Sequence, residues 1–145
     1  MRAKKHVRSP MLDLFVATEE GDIQRLRLQP RVSLAGPTYW FLHRYFVQAS
    51  LTPGDFSFLN LYEDTELAGY QLQRLRTELQ EALVDLSARP SNFRVLVGWH
   101  AAVRSFETEE WRPLDRTSVE GVVREFLAAI CEAQESGRSI FAIGD

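Results

Sequence analysis

Carboxylates are the chain's most plentiful chemical resource, and two groups of them lie beside aromatic residues: Glu63-Asp64 and Glu66 next to Tyr62, and Glu107 with Glu109-Glu110 next to Trp111. Two such groups could serve as a general acid and a general base. They have a plainer use as well. Glu63, Asp64 and Glu66 precede a helical pattern whose N-terminal end favours negative charge, and Glu107 to Glu110 read as a polar loop. A further use is recognition, because an aromatic anchor with a charged surround gives affinity and steered association with a basic partner. Between catalysis and recognition the residues favour recognition. The candidate partner-binding residues are therefore Tyr62, Glu63, Asp64, Glu66, Glu107, Glu109, Glu110 and Trp111.

No catalytic residue, metal site or cofactor is expected. His6, His43 and His100 stand apart, and neither HExxH nor CxxC occurs, so no spacing converges on one ion. Cys131 lies deep in a helical pattern near its apolar stripe, where packing explains it, and no serine sits in a GxSxG elbow. The glycines at 21, 36, 54, 69, 98, 121, 137 and 144 are too dispersed for a phosphate-binding loop. Lys4 and Lys5 are the chain's two lysines, which leaves residues 10–145 without an amine for Schiff-base chemistry or for a phosphate-loop lysine. The alternative to recognition is a small enzyme or ligand-binding domain whose pocket on a sheet face holds His43, His100 and a carboxylate.

Charge narrows the partner. Residues 1–9 carry Arg2, Lys4, Lys5 and Arg8 and no acid, so they are expected to form a basic flexible tip. Residues 10–145 hold 13 arginines against 20 acids, a net 13 − 20 = −7, and are expected to form a single domain. That balance repels phosphate backbones and points to a basic protein partner rather than nucleic acid. No run approaches about 18 apolar residues, so no membrane partner is expected. Met11–Ala17 is interrupted by Asp13 and is too weak for an export core. With one cysteine the chain has no internal disulfide, and a cytoplasmic location is the expectation.

The elements that must position these residues follow from periodicity. Leu72, Leu75, Leu79, Ala82, Leu83 and Leu86 recur at three and four and predict a helix over 67–88, capped by Asp64 or Thr65. Val119, Val122, Val123, Phe126, Leu127 and Ile130 predict a second, opened by a Thr117–Glu120 capping box and stopped by Gly137. Met11–Ala17 reads as a strand or helix, and residues 19–28 as a short helix. Tyr39–Ala49 and Phe56–Tyr62 flank Pro53-Gly54 and read as a hairpin, with a helix over 39–47 as the alternative. Phe93–Trp99 reads as a buried strand, Ala101–Phe106 as a second strand after it, and Ser139–Ile143 as a final strand. The fold class is α+β: one domain with a mixed or antiparallel sheet of about four to six strands and two long helices packed on it. A right-handed crossover joins Phe93–Trp99 to Ser139–Ile143 if those strands are parallel neighbours.

The segment FLNLYEDTEL at 58–67, the Leu/Arg/Glu helix ending in Arg89-Pro90 and the closing run GRSIFAIGD at 137–145 together cover about half the chain. In these, and in its small, acidic, motif-free character, the chain resembles bacterial immunity proteins of polymorphic or contact-delivered toxin systems. The resemblance implies neutralisation of a cognate toxin, often a nuclease, by stoichiometric binding of an acidic surface in its basic cleft. It transfers no binding residue position by position.

Overall fold

Alternation along strand β1 (Met11–Ala17) puts Leu12, Leu14 and Val16 on one face, and its neighbours match that face residue for residue. The computed structural model describes residues 11–49, 59, 63–97 and 110–144. Within them the fold is α+β and forms a single domain. β1 pairs antiparallel with β2 (Val32–Ala35) and with β6 (Ser139–Gly144), and β6 pairs antiparallel with β3 (Thr65–Leu67), giving the order β2-β1-β6-β3. Cross-strand partners share a face. Leu12 opposite Leu34, Leu14 between Val32 and Ala142, and Leu67 opposite Ile140 therefore build one continuous apolar surface.

Two helices cover that surface and a third packs on both of them. α4 (Arg116–Ser136) lies against β1, β2 and β6, and α2 (Gly36–Ala49) against β1 and β2. α3 (Tyr70–Ser87) packs on α2 and α4 and buries Leu72, Leu75, Leu79, Ala82 and Leu86. A separate antiparallel pair, β4 (Asn92–Leu96) and β5 (Trp111–Asp115), docks on α2, where Phe93 meets Phe41 at a ring-centroid distance of 5.4 Å. On the sheet's other face Phe15 and Phe141 are direct partners, buried to 8% and 4% exposure although they lie outside the main core.

Several expectations are corrected. Tyr39–Ala49 lies within the helix α2, as in the alternative reading, and is not a strand of a hairpin. Its buried residues fall at 36, 38, 39, 41, 42, 45, 46 and 49, recurring at three and four, a helical spacing that outweighs the strand preference of its aromatic residues. Pro37 sits in the first turn, where its missing N–H is harmless. Neither Asp64 nor Thr65 caps α3: the cap position is Gly69, at φ 54° and ψ −120°, a conformation open to glycine alone. The Thr117–Glu120 box is not formed either, since Asp115 caps α4 by accepting from the Ser118 N–H and hydroxyl, both at 2.9 Å. β4 and β6 belong to different sheets, so no crossover joins them, and every described strand pairing is antiparallel. β2, β3 and β5 lie where no strand was expected, β3 taking up Leu67 from the start of the expected helix. The basic tip, the Pro53-Gly54 turn, Trp99 and Ala101–Phe106 lie outside the described residues, as does Phe56–Tyr62 apart from the buried Leu59.

The two helix ends nearest β2 and β6 stop by the same device with different residues. After α1 (Gly21–Arg25), the Leu28 N–H donates to the Ile23 carbonyl at 3.0 Å and Arg27 N–H to Gln24 at 3.2 Å, the paired bonds of a Schellman turn. Arg27 takes the left-handed position at φ 51°. After α4 that position belongs to Gly137 at φ 68°, and the Arg138 N–H reaches the Ala133 carbonyl at 2.9 Å. A side chain with Cβ is strained there. Arg27→Gly is expected to stabilise the fold by roughly 0.5–1 kcal/mol and Gly137→Ala to destabilise it by about 1 kcal/mol, read from urea denaturation midpoints.

Candidate functional site

Strand β3 shows what two of the sequence-identified carboxylates do in the fold. Asp64 Oδ1 accepts from the Gly144 N–H at 3.1 Å, and Glu66 Oε2 accepts from the Ser139 hydroxyl at 2.9 Å. Both bonds run to β6, so these side chains tie a three-residue edge strand to its neighbour while remaining exposed. Glu63 is exposed beside them. A short edge strand with negative side chains also discourages pairing with another chain's edge.

Trp111 opens β5 in the other sheet, and Glu110 immediately precedes it. Glu110 Oε2 is 2.5 Å from Arg112 Nη2, an exposed pair of small energetic consequence. Trp111 stands opposite Leu96 in the β4–β5 register, and Arg94 stands opposite Pro113. Residues alternate across the pair, so Phe93, Val95 and Leu114 pack against the core while Leu96, Trp111, Pro113 and Arg94 lie on the other face. The indole is 46% exposed. The described members of the two sequence clusters therefore lie in or beside different sheets, with no strand pairing between those sheets. Tyr62, Glu107, Glu109 and His100 lie outside the described residues.

His43 projects from α2 beside Trp40, 5.0 Å between ring centroids, and Tyr39, 6.0 Å. Burial lowers its pKa below the usual histidine value, which favours the neutral ring. Among the described residues no group of three or more histidine, cysteine or acidic side chains could hold a metal ion.

Two polar clusters were not legible beforehand. In the first, between α2 and α3, Tyr45 donates its phenol proton to Asp85, while Arg44 Nη2 donates to Asp85 at 2.6 Å and to the Tyr45 oxygen at 2.9 Å. Arg89 lies close by with its guanidinium 5.0 Å from the Phe41 ring centre and 4.9 Å from that of Phe93. It helps seat the β4–β5 pair on α2. The second cluster is an ion triad in which Glu132 of α4 receives Arg31 at 2.7 Å and Arg138 at 3.1 Å. Its members come from the β2 entrance, the last turns of α4 and the β6 entrance. Arg31 and Glu132 are 101 positions apart, and no local pattern could have paired them.

The first cluster makes stability depend on pH at both extremes. The Tyr45 phenol holds the Asp85 carboxyl below its ordinary 3.8, helped by Arg44, and the Ser118 N–H and hydroxyl do the same for Asp115. Both carboxylates therefore stabilise the fold fully above pH 3.8 and lose that contribution as pH falls through their lower folded values. Burial, then the bond to Asp85, pushes Tyr45 from 10.0 up to about 12. Its contribution is complete below pH 10.0 and is lost as pH rises toward about 12. A plot of melting temperature against pH is expected to fall on both sides, and Tyr45→Phe to weaken both limbs while Asp115→Ala weakens only the acid one. No protein-family model, curated protein or solved structure matches the chain.

Proposed function

We propose that this chain is a cytoplasmic protein-binding protein of the immunity type, which neutralises a basic partner by stoichiometric occupation and performs no chemistry of its own. The observation that carries the reading is Trp111: a large aromatic ring, 46% exposed, on a strand whose opposite face is held against the core. Rigidly presented aromatic residues lose little entropy on binding and dominate interface energetics. Leu96 and Pro113 extend the apolar centre, and Arg94 and Asp115 on the same face flank it with charge of both signs. Among the described residues the other large exposed apolar side chains, Leu26, Tyr70 and Val84, lie on or beside other elements and have no such setting.

Two further observations support recognition over catalysis. The carboxylates at Asp64, Glu66 and Glu110 accept bonds from the chain's own groups and do not converge on one point. The leucine face of α3 is buried against α2 and α4, which leaves the β4–β5 face as the better candidate for association. The net charge of −7 over residues 10–145 supplies long-range attraction to a basic partner, such as the substrate cleft of a nuclease toxin. No described helix is long and apolar enough to cross a membrane.

The test is purification of the tagged chain from its source cells at low salt, together with the product of its neighbouring gene. The expected result is an equimolar complex with a basic protein whose toxic activity is silenced within it. Trp111→Ala should weaken that complex by about 2 kcal/mol, roughly 30-fold, without unfolding the chain. Charge reversal at Glu107, Glu109 and Glu110 should slow association at low salt. A chain that returns alone, or binding that both changes leave untouched, would sink the reading.

A further inference from the structure

The ion triad lies in a cleft of about 270 Å³ between the end of α4 and the loop that enters β2. Its lining combines apolar Val16, Leu28 and Pro30 with charged Arg31, Glu132 and Arg138. Two guanidinium groups share one carboxylate, so the cluster keeps a net charge of 2 − 1 = +1 within a domain that is otherwise acidic. Both arginines also have donors left over. Arg31 reaches Glu132 through Nη2, and Arg138 uses Nη2 for Glu132 and Nε for the Ser136 hydroxyl at 2.9 Å. Arg31 Nε and Nη1 and Arg138 Nη1 take no partner among the described residues. A guanidinium carries five N–H groups in a planar fork whose geometry matches a carboxylate.

The negative C-terminal end of α4 accounts for a cation at Arg138. It does not account for the second cation, which Pro30 and the start of β2 bring from another part of the chain. Arg31 is anchored for this position, because its own N–H continues the β1–β2 ladder by donating to the Leu14 carbonyl at 2.7 Å. Leu28 is held as firmly, by the Schellman bond to Ile23 at 3.0 Å. A surplus positive charge beside an apolar lining selects an organic monoanion. The volume falls just below the roughly 300–1,000 Å³ of drug-sized pockets, which sets a small ligand.

We propose that this cleft binds a short aliphatic carboxylate, its carboxyl group on Arg31 and Arg138 and its alkyl group against Val16, Leu28 and Pro30. The site is separate from the Trp111 face and does not depend on the function proposed there. An inorganic anion would leave the apolar lining without a use, and an uncharged alkyl group would leave the cationic surplus unmatched.

The experiment titrates the full-length chain with 3-methylbutanoate, 3-methylbutanol and inorganic phosphate at constant ionic strength, reading melting temperature and calorimetric heat. The expected result is saturable binding of 3-methylbutanoate alone, with a Kd on the order of 1 mM and a rise of a few degrees at about tenfold that concentration. Arg31→Gln combined with Arg138→Gln should abolish it. Glu132→Gln removes the competing carboxylate and should tighten binding at least about threefold. A misfolded variant cannot bind more tightly, so that arm decides even if the double variant fails to fold. Absence of saturation, an equal response to phosphate or to the alcohol, or a Glu132→Gln affinity unchanged or weakened would overturn the assignment.

Discussion

Leu12, Leu14, Val16, Val32, Leu34, Leu67, Ile140 and Ala142 form one apolar sheet face, and keeping it from water is the constraint on which the remaining architecture depends. α4 and α2 are the elements that cover it, α4 buried along one stripe and α2 over a broader arc. α3 then covers what those two helices leave open, and its five buried residues make a second apolar layer without joining the sheet. Because α2 has aromatic residues on more than one side, it also offers Phe41 to Phe93 and so receives the β4–β5 pair. The outward aim of Trp111 is the far end of this chain of packing.

Polar groups occupy the places this packing leaves at its margins. Asp64 and Glu66 tie down an edge strand too short to hold by its ladder alone. Tyr45, Asp85 and Arg44 join α2 to α3 at the rim of their interface. Arg31, Glu132 and Arg138 join the β2 entrance to the end of α4. In each case a carboxylate gathers donors from elements distant in sequence.

Much of the fold could be read from local pattern. The stripes of α3 and α4, the alternation of β1, the closing strand β6 and the left-handed glycine at 137 all follow from interactions within a few residues. Side-chain period and the steric freedom of glycine act at that range. The class, α+β in a single domain, follows from the same signals, but of the two long helices legible in the chain only α4 lies on the sheet, whereas α3 packs on α2 and α4.

Other features were settled only when distant segments met. Tyr39–Ala49 suits a strand by composition, yet becomes a helix because burial on two sides at helical spacing fits between the sheet, α3 and β4. Thr117 and Glu120 make a plausible capping box, but pairing of Asp115 with Asn92 extends β5 through that residue and hands it the cap. β2 and β5 are short and become strands through the partners that β1 and β4 supply. The identity of a carboxylate is written in the chain, whereas its partner is set by register and helix placement. Glu66 meeting Ser139, or Glu132 meeting Arg31, is a consequence of long-range geometry, which no local periodicity encodes.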